Sequence, residues 1–154
     1  MAEIIDQESV LNKINNFKPL WRLLLATPGT LQSTLTAYFG SPVSVQVVGQ
    51  SIEGNVISRR VNLVCDDREI VVCRATTEIT VDDPRINEMV NEKRVGIGQI
   101  IQLLGAKSEF RLEETGQVNG SFWRRYTLSG PGYCFNIRED FPKILYADIH
   151  HDGA

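Results

Sequence analysis

The order of helix-like and strand-like segments is the feature that most constrains how this chain folds. Apolar residues recur at helical spacing up to residue 39, and three strand-like runs follow between residues 43 and 79. A second block repeats that order, with helical segments and then three strands that end at residue 141. No strand–helix–strand alternation runs through the chain, which disfavours a parallel sheet. The sequence therefore predicts an α+β protein with a single antiparallel β-sheet and helices packed on one side.

Turn and capping residues indicate where these elements begin and end. Thr30 is expected to cap the third helix and Gly40 to close it, while Asp83 is expected to cap the fourth. Asn119-Gly120 is typical of a tight hairpin turn. The predicted helices span residues 8–17, 20–26, 30–39 and 97–104, with another that begins at 84. The predicted strands span residues 43–48, 57–65, 69–79, 109–112, 122–128 and 133–141.

The length and charge of the chain limit the kinds of protein it can be. Its 154 residues suit one domain over 1–154, with a lead-in helix within 1–19 and a loose tail over 143–154. The net charge of −3 gives no bulk attraction for nucleic acid or an anionic membrane. The longest apolar stretch, Leu20–Ala26, is too short to span a bilayer, and the first residues lack a signal peptide's apolar core. We expect a cytoplasmic protein without a nucleic-acid or membrane partner.

Two predicted strands each carry one charge on a face that is otherwise apolar. Side chains alternate between the two faces of a strand, so residues of equal parity share a face. Arg59 is the lone charge on one such face, and Glu139 is the lone charge on another. Their apolar neighbours are Ile57, Val61, Leu63 and Cys65 around Arg59, and Tyr133, Phe135, Ile137 and Phe141 around Glu139.

The strand pattern leaves two explanations of these charges open. In the first explanation, Arg59 and Glu139 pair with each other or lie at strand ends exposed to water, because a buried charge is costly unless it is paired. In the other explanation both face a ligand cavity. There the planar guanidinium of Arg59 binds a carboxylate, and Glu139 meets a hydroxyl group of the same ligand.

The remaining motifs do not amount to a cofactor or metal site. Gly96-Ile97-Gly98 lacks the strand–turn–helix context of a dinucleotide loop, although N–H groups that open a helix can meet an anion. His150-His151-Asp152 lies in the predicted tail, where a solvated chain end is expected. The three cysteines lie in strand-like runs and match no zinc or redox spacing. We expect neither a cofactor nor a metal.

Several short motifs, in this order and spacing, resemble the chorismate–pyruvate lyase family. The family's central hairpin is similar to SRRVNLVCDDREIVVCRATTEI, residues 58–79. The helix after its N-terminal leucine run is similar to ATPGTLQSTLTAYFGSPVSV, residues 26–45, and its helix-opening turn to VGIGQII, residues 95–101. Its closing strands are similar to FWRRYTLSG and NIREDFP, residues 122–130 and 136–142. The resemblance spans roughly residues 20–142.

This resemblance implies a fold, an activity and a set of site residues. The family encloses a small internal ligand cavity between an antiparallel sheet and helices. Its members remove pyruvate from chorismate, without a cofactor, and give 4-hydroxybenzoate for prenylquinone synthesis. The carboxylate-binding arginine corresponds to Arg59, and the glutamate at the ring hydroxyl corresponds to Glu139. Backbone contacts to the substrate correspond to Leu31 and Ile97.

Two further points follow from the resemblance. Arg74 or Arg124 is expected to hold the pyruvyl carboxylate of chorismate. The alternative function is a non-catalytic domain of the same fold that binds or senses an aromatic carboxylate, since some transcription regulators carry effector domains that look like this fold. A third hypothesis is a scaffold that binds a partner, and it predicts an exposed apolar patch in place of a closed pocket.

Overall fold

Two three-stranded meanders build the β-sheet of this protein. The computed structural model describes residues 3–4, 6–29, 31–91 and 108–142. One meander joins β2 (Val43–Glu53), β3 (Val56–Cys65) and β4 (Ile70–Val81), and the other joins β5 (Ser108–Val118), β6 (Ser121–Gly130) and β7 (Tyr133–Phe141). β4 pairs antiparallel with β7, so these strands form one sheet in the order β5-β6-β7-β4-β3-β2. A short β1 (Glu3–Ile4) pairs in parallel with β5 at the edge.

Four helices accompany the sheet in the described part of the chain. They are α1 (Gln7–Ile14), α2 (Pro19–Ala26), α3 (Gln32–Phe39) and α4 (Pro84–Asn91). α1 contacts β5, α3 contacts β2 and β3, and α4 contacts β4. Trp21 of α2 stacks on Phe122 of β6, which in turn stacks on Phe141 of β7, with ring centroids 4.6 Å apart in both pairs. The predicted α+β class with a single antiparallel sheet is confirmed.

Alternating burial along the strands separates the sheet into two faces. In β7 every odd-numbered residue from Tyr133 to Phe141 is buried, whereas the residues between them are exposed or half-buried. These buried residues lie on what we call the inner face of the sheet. Backbone carbonyl groups of α2 and α4 accept hydrogen bonds from arginine side chains on this face. The opposite, outer face carries exposed polar residues, such as Thr76 and Glu78 of β4. This is the period of two that the sequence predicts for a sheet covered on one side.

Several element boundaries differ from the sequence prediction. β2 continues to Glu53, beyond the predicted end at residue 48, and α1 ends at Ile14 rather than at residue 17. β5 continues to Val118, beyond the predicted end at residue 112, because its ladder with β6 continues through polar residues. A bulge between Leu112 and Glu114 interrupts the alternation there, so the residues after it do not continue the period-two pattern by which the strand was predicted. α3 begins at Gln32, and its N-cap is Leu31 rather than Thr30, which itself lies outside the described residues.

Other boundaries agree with the prediction. Gly40 ends α3 in the left-handed conformation, at φ 65°. The Asp83 carboxylate accepts a hydrogen bond from the N–H of Arg85 and so caps the start of α4. The predicted helix at 97–104 and the predicted tail at 143–154 lie outside the described residues. Within the described ranges, no helix is long and apolar enough to cross a membrane.

Candidate functional site

The two charges that the strand pattern singled out both lie on the inner face. Only 1% of Arg59 and 2% of Glu139 is exposed to solvent. Arg59 comes from β3 and Glu139 from β7, with β4 between these strands. Both charges are therefore buried, and the alternative in which they lie at wet strand ends does not hold.

Strand pairing places these charges in two adjacent rows that run across the sheet. In the first row, Arg59 is level with Thr77 of β4, which is level with Ile137 of β7. In the second row, Ala75 of β4 is level with Glu139. Two strand spacings and two residues along the strands separate the Cα atoms of Arg59 and Glu139 by roughly 12 Å. The strand between the two charges therefore presents small side chains, Ala75 and Thr77, to the inner face.

Arg59 is held by neutral oxygen atoms from two directions. Its Nε donates to the side-chain oxygen of Gln50, its partner across β2, at 3.0 Å. Its Nη2 donates to the carbonyl oxygen of Val90 in α4 at 2.7 Å. Burial lowers the pKa of Arg59 from its usual value, but that value is so high that the guanidinium keeps its charge at neutral pH. The inner face therefore holds a fixed cation beneath α4.

Glu139 pairs with Arg124, a cation that neither explanation from the strand pattern includes. Its Oε1 accepts from Nε of Arg124 at 2.7 Å, and its Oε2 accepts from the hydroxyl of Tyr126 at 2.9 Å. Both partners come from β6, the next strand. The expectation that Arg59 and Glu139 pair with each other is wrong, because Arg124 is the direct neighbour of Glu139 across β6 and β7. An ionised carboxylate offers about four acceptor positions, so each oxygen of Glu139 can accept one more hydrogen bond.

Arg124 connects Glu139 to the chain segment after α2. It is fully buried, and its Nη1 donates to the carbonyl oxygens of Leu25 and Thr27 at 3.1 and 2.6 Å. Its Nη2 donates to the carbonyl oxygen of Gly29 at 2.7 Å. Burial alone lowers the pKa of Arg124, but the neighbouring Glu139 carboxylate raises it, and the net shift is upward. Arg124 is therefore charged at neutral pH, and its hydrogen bonds tie the 25–29 segment to the sheet.

Tyr126 completes this buried cluster. Burial raises its pKa well above the usual value of 10, and the nearby Glu139 charge raises it further. The phenol is therefore protonated at neutral pH and can donate to Glu139. The Arg124 guanidinium lies 4.2 Å from the centre of the Tyr126 ring. Because the ring presents its negative face to the cation, it adds to the stabilisation of the buried charge.

The alternation of side chains that singles out Arg59 and Glu139 also holds in β6. The inward residues of that strand are Phe122, Arg124, Tyr126 and Leu128, all of them buried. Arg124 is their single charge, which is the pattern that marks the other two sites. The sequence thus contained the signal for a third buried charge.

Two other predicted site residues have contrasting positions. Leu31 is fully buried directly after the segment that Arg124 holds, and its backbone N–H donates to no group that the structure describes. Arg74 is exposed and pairs with Asn62 and Asp140 on the outer face. The sheet therefore lies between Arg74 and the two inner-face charges, Arg59 and Glu139. Ile97 lies outside the described residues.

A groove of about 330 Å³ lies between α1 and β5. It is lined by Asp6, Ser9, Lys13 and neighbouring residues, and none of the predicted site residues lines it. The enclosed cavity predicted at Arg59 and Glu139 stays a prediction. Across the described ranges, no group of three or more histidine, cysteine or acidic residues is placed to hold a metal ion.

Comparisons with known proteins add no family to this picture. No protein-family model and no curated protein matches the chain.

Proposed function

We propose that this protein is a chorismate lyase, which eliminates pyruvate from chorismate and gives 4-hydroxybenzoate. The observation that carries the proposal is the placement of Arg59 and Glu139 on one buried sheet face, with only Ala75 and Thr77 on the strand between them. A cation and a hydrogen-bond acceptor at opposite ends of a short floor of small side chains suit a ring with a carboxylate at one end and a hydroxyl at the other. The order of motifs that resembles the lyase family supports the same function.

In this proposal the protein acts mainly by position and charge. The C–O bond to the enolpyruvyl group breaks, and a proton leaves the neighbouring ring carbon that bears the hydroxyl. The enolpyruvate takes up a proton and becomes pyruvate, while the ring becomes aromatic. Arg59 holds the ring carboxylate, Glu139 accepts from the ring hydroxyl, and burial excludes water. Because aromatisation drives the reaction, neither a metal nor a cofactor is required.

The buried cluster at Glu139 has a defined part in this reaction. Arg124 and Tyr126 fix both carboxylate oxygens, so the acceptor is held in place before the substrate arrives. Arg124 donates four hydrogen bonds to described residues, which leaves it little capacity for the pyruvyl carboxylate. We therefore assign it to positioning Glu139 and the segment before Leu31. No described residue accepts a hydrogen bond from the Leu31 N–H, so this group can donate to the substrate.

The proposal includes a cytoplasmic location and a role in supplying 4-hydroxybenzoate for prenylquinones. The location is supported by the cysteines: Cys65 and Cys73 are buried free thiols and Cys134 is an exposed one. Free thiols are typical of a reducing compartment.

A second candidate function is binding without turnover. Both oxygens of Glu139 already accept hydrogen bonds, an arrangement that suits holding a ligand as well as it suits reaction. A protein of this kind would bind 4-hydroxybenzoate and leave chorismate intact.

Incubation with chorismate separates the two functions. The purified protein, treated beforehand with a chelator, is mixed with chorismate, and 4-hydroxybenzoate and pyruvate are measured over time. Equal amounts of both products, formed faster than in a protein-free control, support the lyase. Tight binding of 4-hydroxybenzoate without product formation supports the binding domain. Activity that disappears on chelation and returns with one metal would contradict the cofactor-free mechanism.

A further inference from the structure

Thr77 places a buried hydroxyl on the floor of the proposed site. Only 3% of the residue is exposed, and no group that the structure describes pairs with its side-chain oxygen. A buried hydroxyl without a partner is unfavourable, so most such groups in proteins are satisfied. The central strand of an inner face is a place where valine or isoleucine serves equally well for packing. The hydroxyl at this position therefore needs an explanation other than packing.

The neighbours of Thr77 limit what its partner can be. Across the sheet it is level with Arg59 on one side and Ile137 on the other. An arginine side chain has only donors, and isoleucine has neither donors nor acceptors. Neither cross-strand neighbour therefore offers the Thr77 hydroxyl an acceptor, and a ligand on the inner face can supply one.

The position of Thr77 along the strand indicates which end of a ligand it meets. Thr77 is level with Arg59, whereas Glu139 is level with Ala75, which comes two residues before Thr77 in β4. A ligand that extends from Arg59 to Glu139 thus has its carboxylate beside Thr77 and its hydroxyl beside Ala75. A carboxylate is an acceptor, which is what the Thr77 hydroxyl lacks.

We infer that the Thr77 hydroxyl donates to the carboxylate that Arg59 binds, and so helps the site to select ring acids. The inference rests on the proposed function, since it assumes an aromatic carboxylate between Arg59 and Glu139. Thr77 and Arg59 then hold the same anionic group from adjacent strands. The bond is charge-assisted, and such bonds are shorter and stronger than those between neutral groups.

This role makes binding and stability respond in opposite directions to one substitution. Thr77→Val keeps the shape of the side chain and removes the hydroxyl. Without ligand, the variant loses only an unpaired buried polar group, so its melting temperature should equal or exceed that of the wild type. With ligand, it loses a hydrogen bond to a charged group, so affinity should fall about tenfold or more.

The experiment compares three variants with two ligands. Thr77→Val, Thr77→Ser and the control Thr76→Val are titrated calorimetrically with 4-hydroxybenzoate and with benzoate, and their thermal unfolding is followed without ligand. Thr76 is the adjacent residue on the exposed outer face, so its substitution changes the same strand without reaching the inner face. Thr77→Ser keeps the hydroxyl and should bind within about threefold of the wild type.

The outcomes separate this inference from the proposed function. Equal losses for 4-hydroxybenzoate and benzoate in Thr77→Val, with unchanged binding in the control, support the inference, because both ligands carry the carboxylate. Wild-type affinity in Thr77→Val overturns it and leaves the lyase proposal standing, as does a loss confined to 4-hydroxybenzoate. A lower melting temperature for Thr77→Val would show that the hydroxyl stabilises the fold, and would also overturn it. Failure of the wild-type protein to bind either acid overturns the proposed function as well.

Discussion

Single side chains on the inner face determine which ligand the proposed site can hold. Arg59 is fixed by the Gln50 side chain and the Val90 carbonyl, so its guanidinium plane has a defined direction. A planar guanidinium binds a carboxylate with two parallel hydrogen bonds, whereas an ammonium group acts as a point charge. The shape of the cation is therefore expected to matter as much as its charge.

Substitution of Arg59 tests this directly. Arg59→Ala should abolish binding of 4-hydroxybenzoate, and Arg59→Lys should weaken it by roughly tenfold or more, because one of the two carboxylate hydrogen bonds is lost. Arg60→Lys is the matched control, since Arg60 is the next residue and is exposed on the outer face. Affinities are measured by titration calorimetry. Wild-type affinity in Arg59→Ala would disprove the assignment.

Glu139 has a structural role beside its proposed functional one. Glu139→Gln should lower the free energy of unfolding by roughly 3–5 kcal/mol, because it leaves the buried Arg124 cation without its counter-charge. Asp140→Asn is the matched control: Asp140 pairs with Arg138 on the outer face, where both side chains are about half exposed. Its loss should cost under about 1 kcal/mol. Urea denaturation measures both values, and similar small losses would argue against a buried ion pair.

At the scale of elements, hairpin turns and one side-chain link organise the site. Arg124 joins β6 to the segment after α2, and so fixes the approach to α3 relative to the sheet. The β5–β6 hairpin positions β6 itself through the turn at Asn119 and Gly120. Both turn residues have positive φ, 51° and 86°, as an Asn-Gly hairpin turn requires.

The turn offers a matched pair of substitutions. Gly120→Ala should lower the free energy of unfolding by about 1–2 kcal/mol, because a Cβ atom disfavours positive φ. Asn119→Gly should change stability by less than about 1 kcal/mol, since glycine adopts the same conformation readily. Chemical denaturation of both variants tests the turn. An equal cost for the two would indicate that the backbone there does not have this conformation.

At the scale of the whole molecule, the proposed site lies between the sheet and its helices. Arg59 is in contact with α4, and Arg124 is in contact with the segment after α2, so a ligand on the inner face lies beneath both. Departure of such a ligand requires a local opening of the structure. Steps of this kind often limit enzyme turnover.

We therefore expect product release to be slow. 4-Hydroxybenzoate should inhibit at concentrations near or below the Michaelis constant for chorismate, and the first turnover should give a burst of product. Rapid-mixing measurements of 4-hydroxybenzoate formation detect the burst, and initial rates with added product measure the inhibition. A linear time course with negligible product inhibition would mean that the site is open to solvent.

The sequence by itself determined the single antiparallel sheet and the apolar strand faces on which Arg59 and Glu139 lie. Both follow from local patterns, namely the order of elements and the period of two within each strand, which any residue in the strand reports. Only the tertiary structure decided which charges meet. The alternation of side chains shows which residues of one strand share a face. The register between two paired strands decides which residues of the neighbouring strand lie beside them.

Arg74 and Arg124 illustrate this difference. Pairing with Asn62 and Asp140 places Arg74 on the outer face, and a bulge beside Leu63 and Val64 shifts the register before it. Arg124 meets Glu139 because β6 and β7 pair in one particular register. That register depends on turn geometry and on packing between distant segments. Those interactions are not local to any strand, so the partner of each buried charge could be recognised only in the folded molecule.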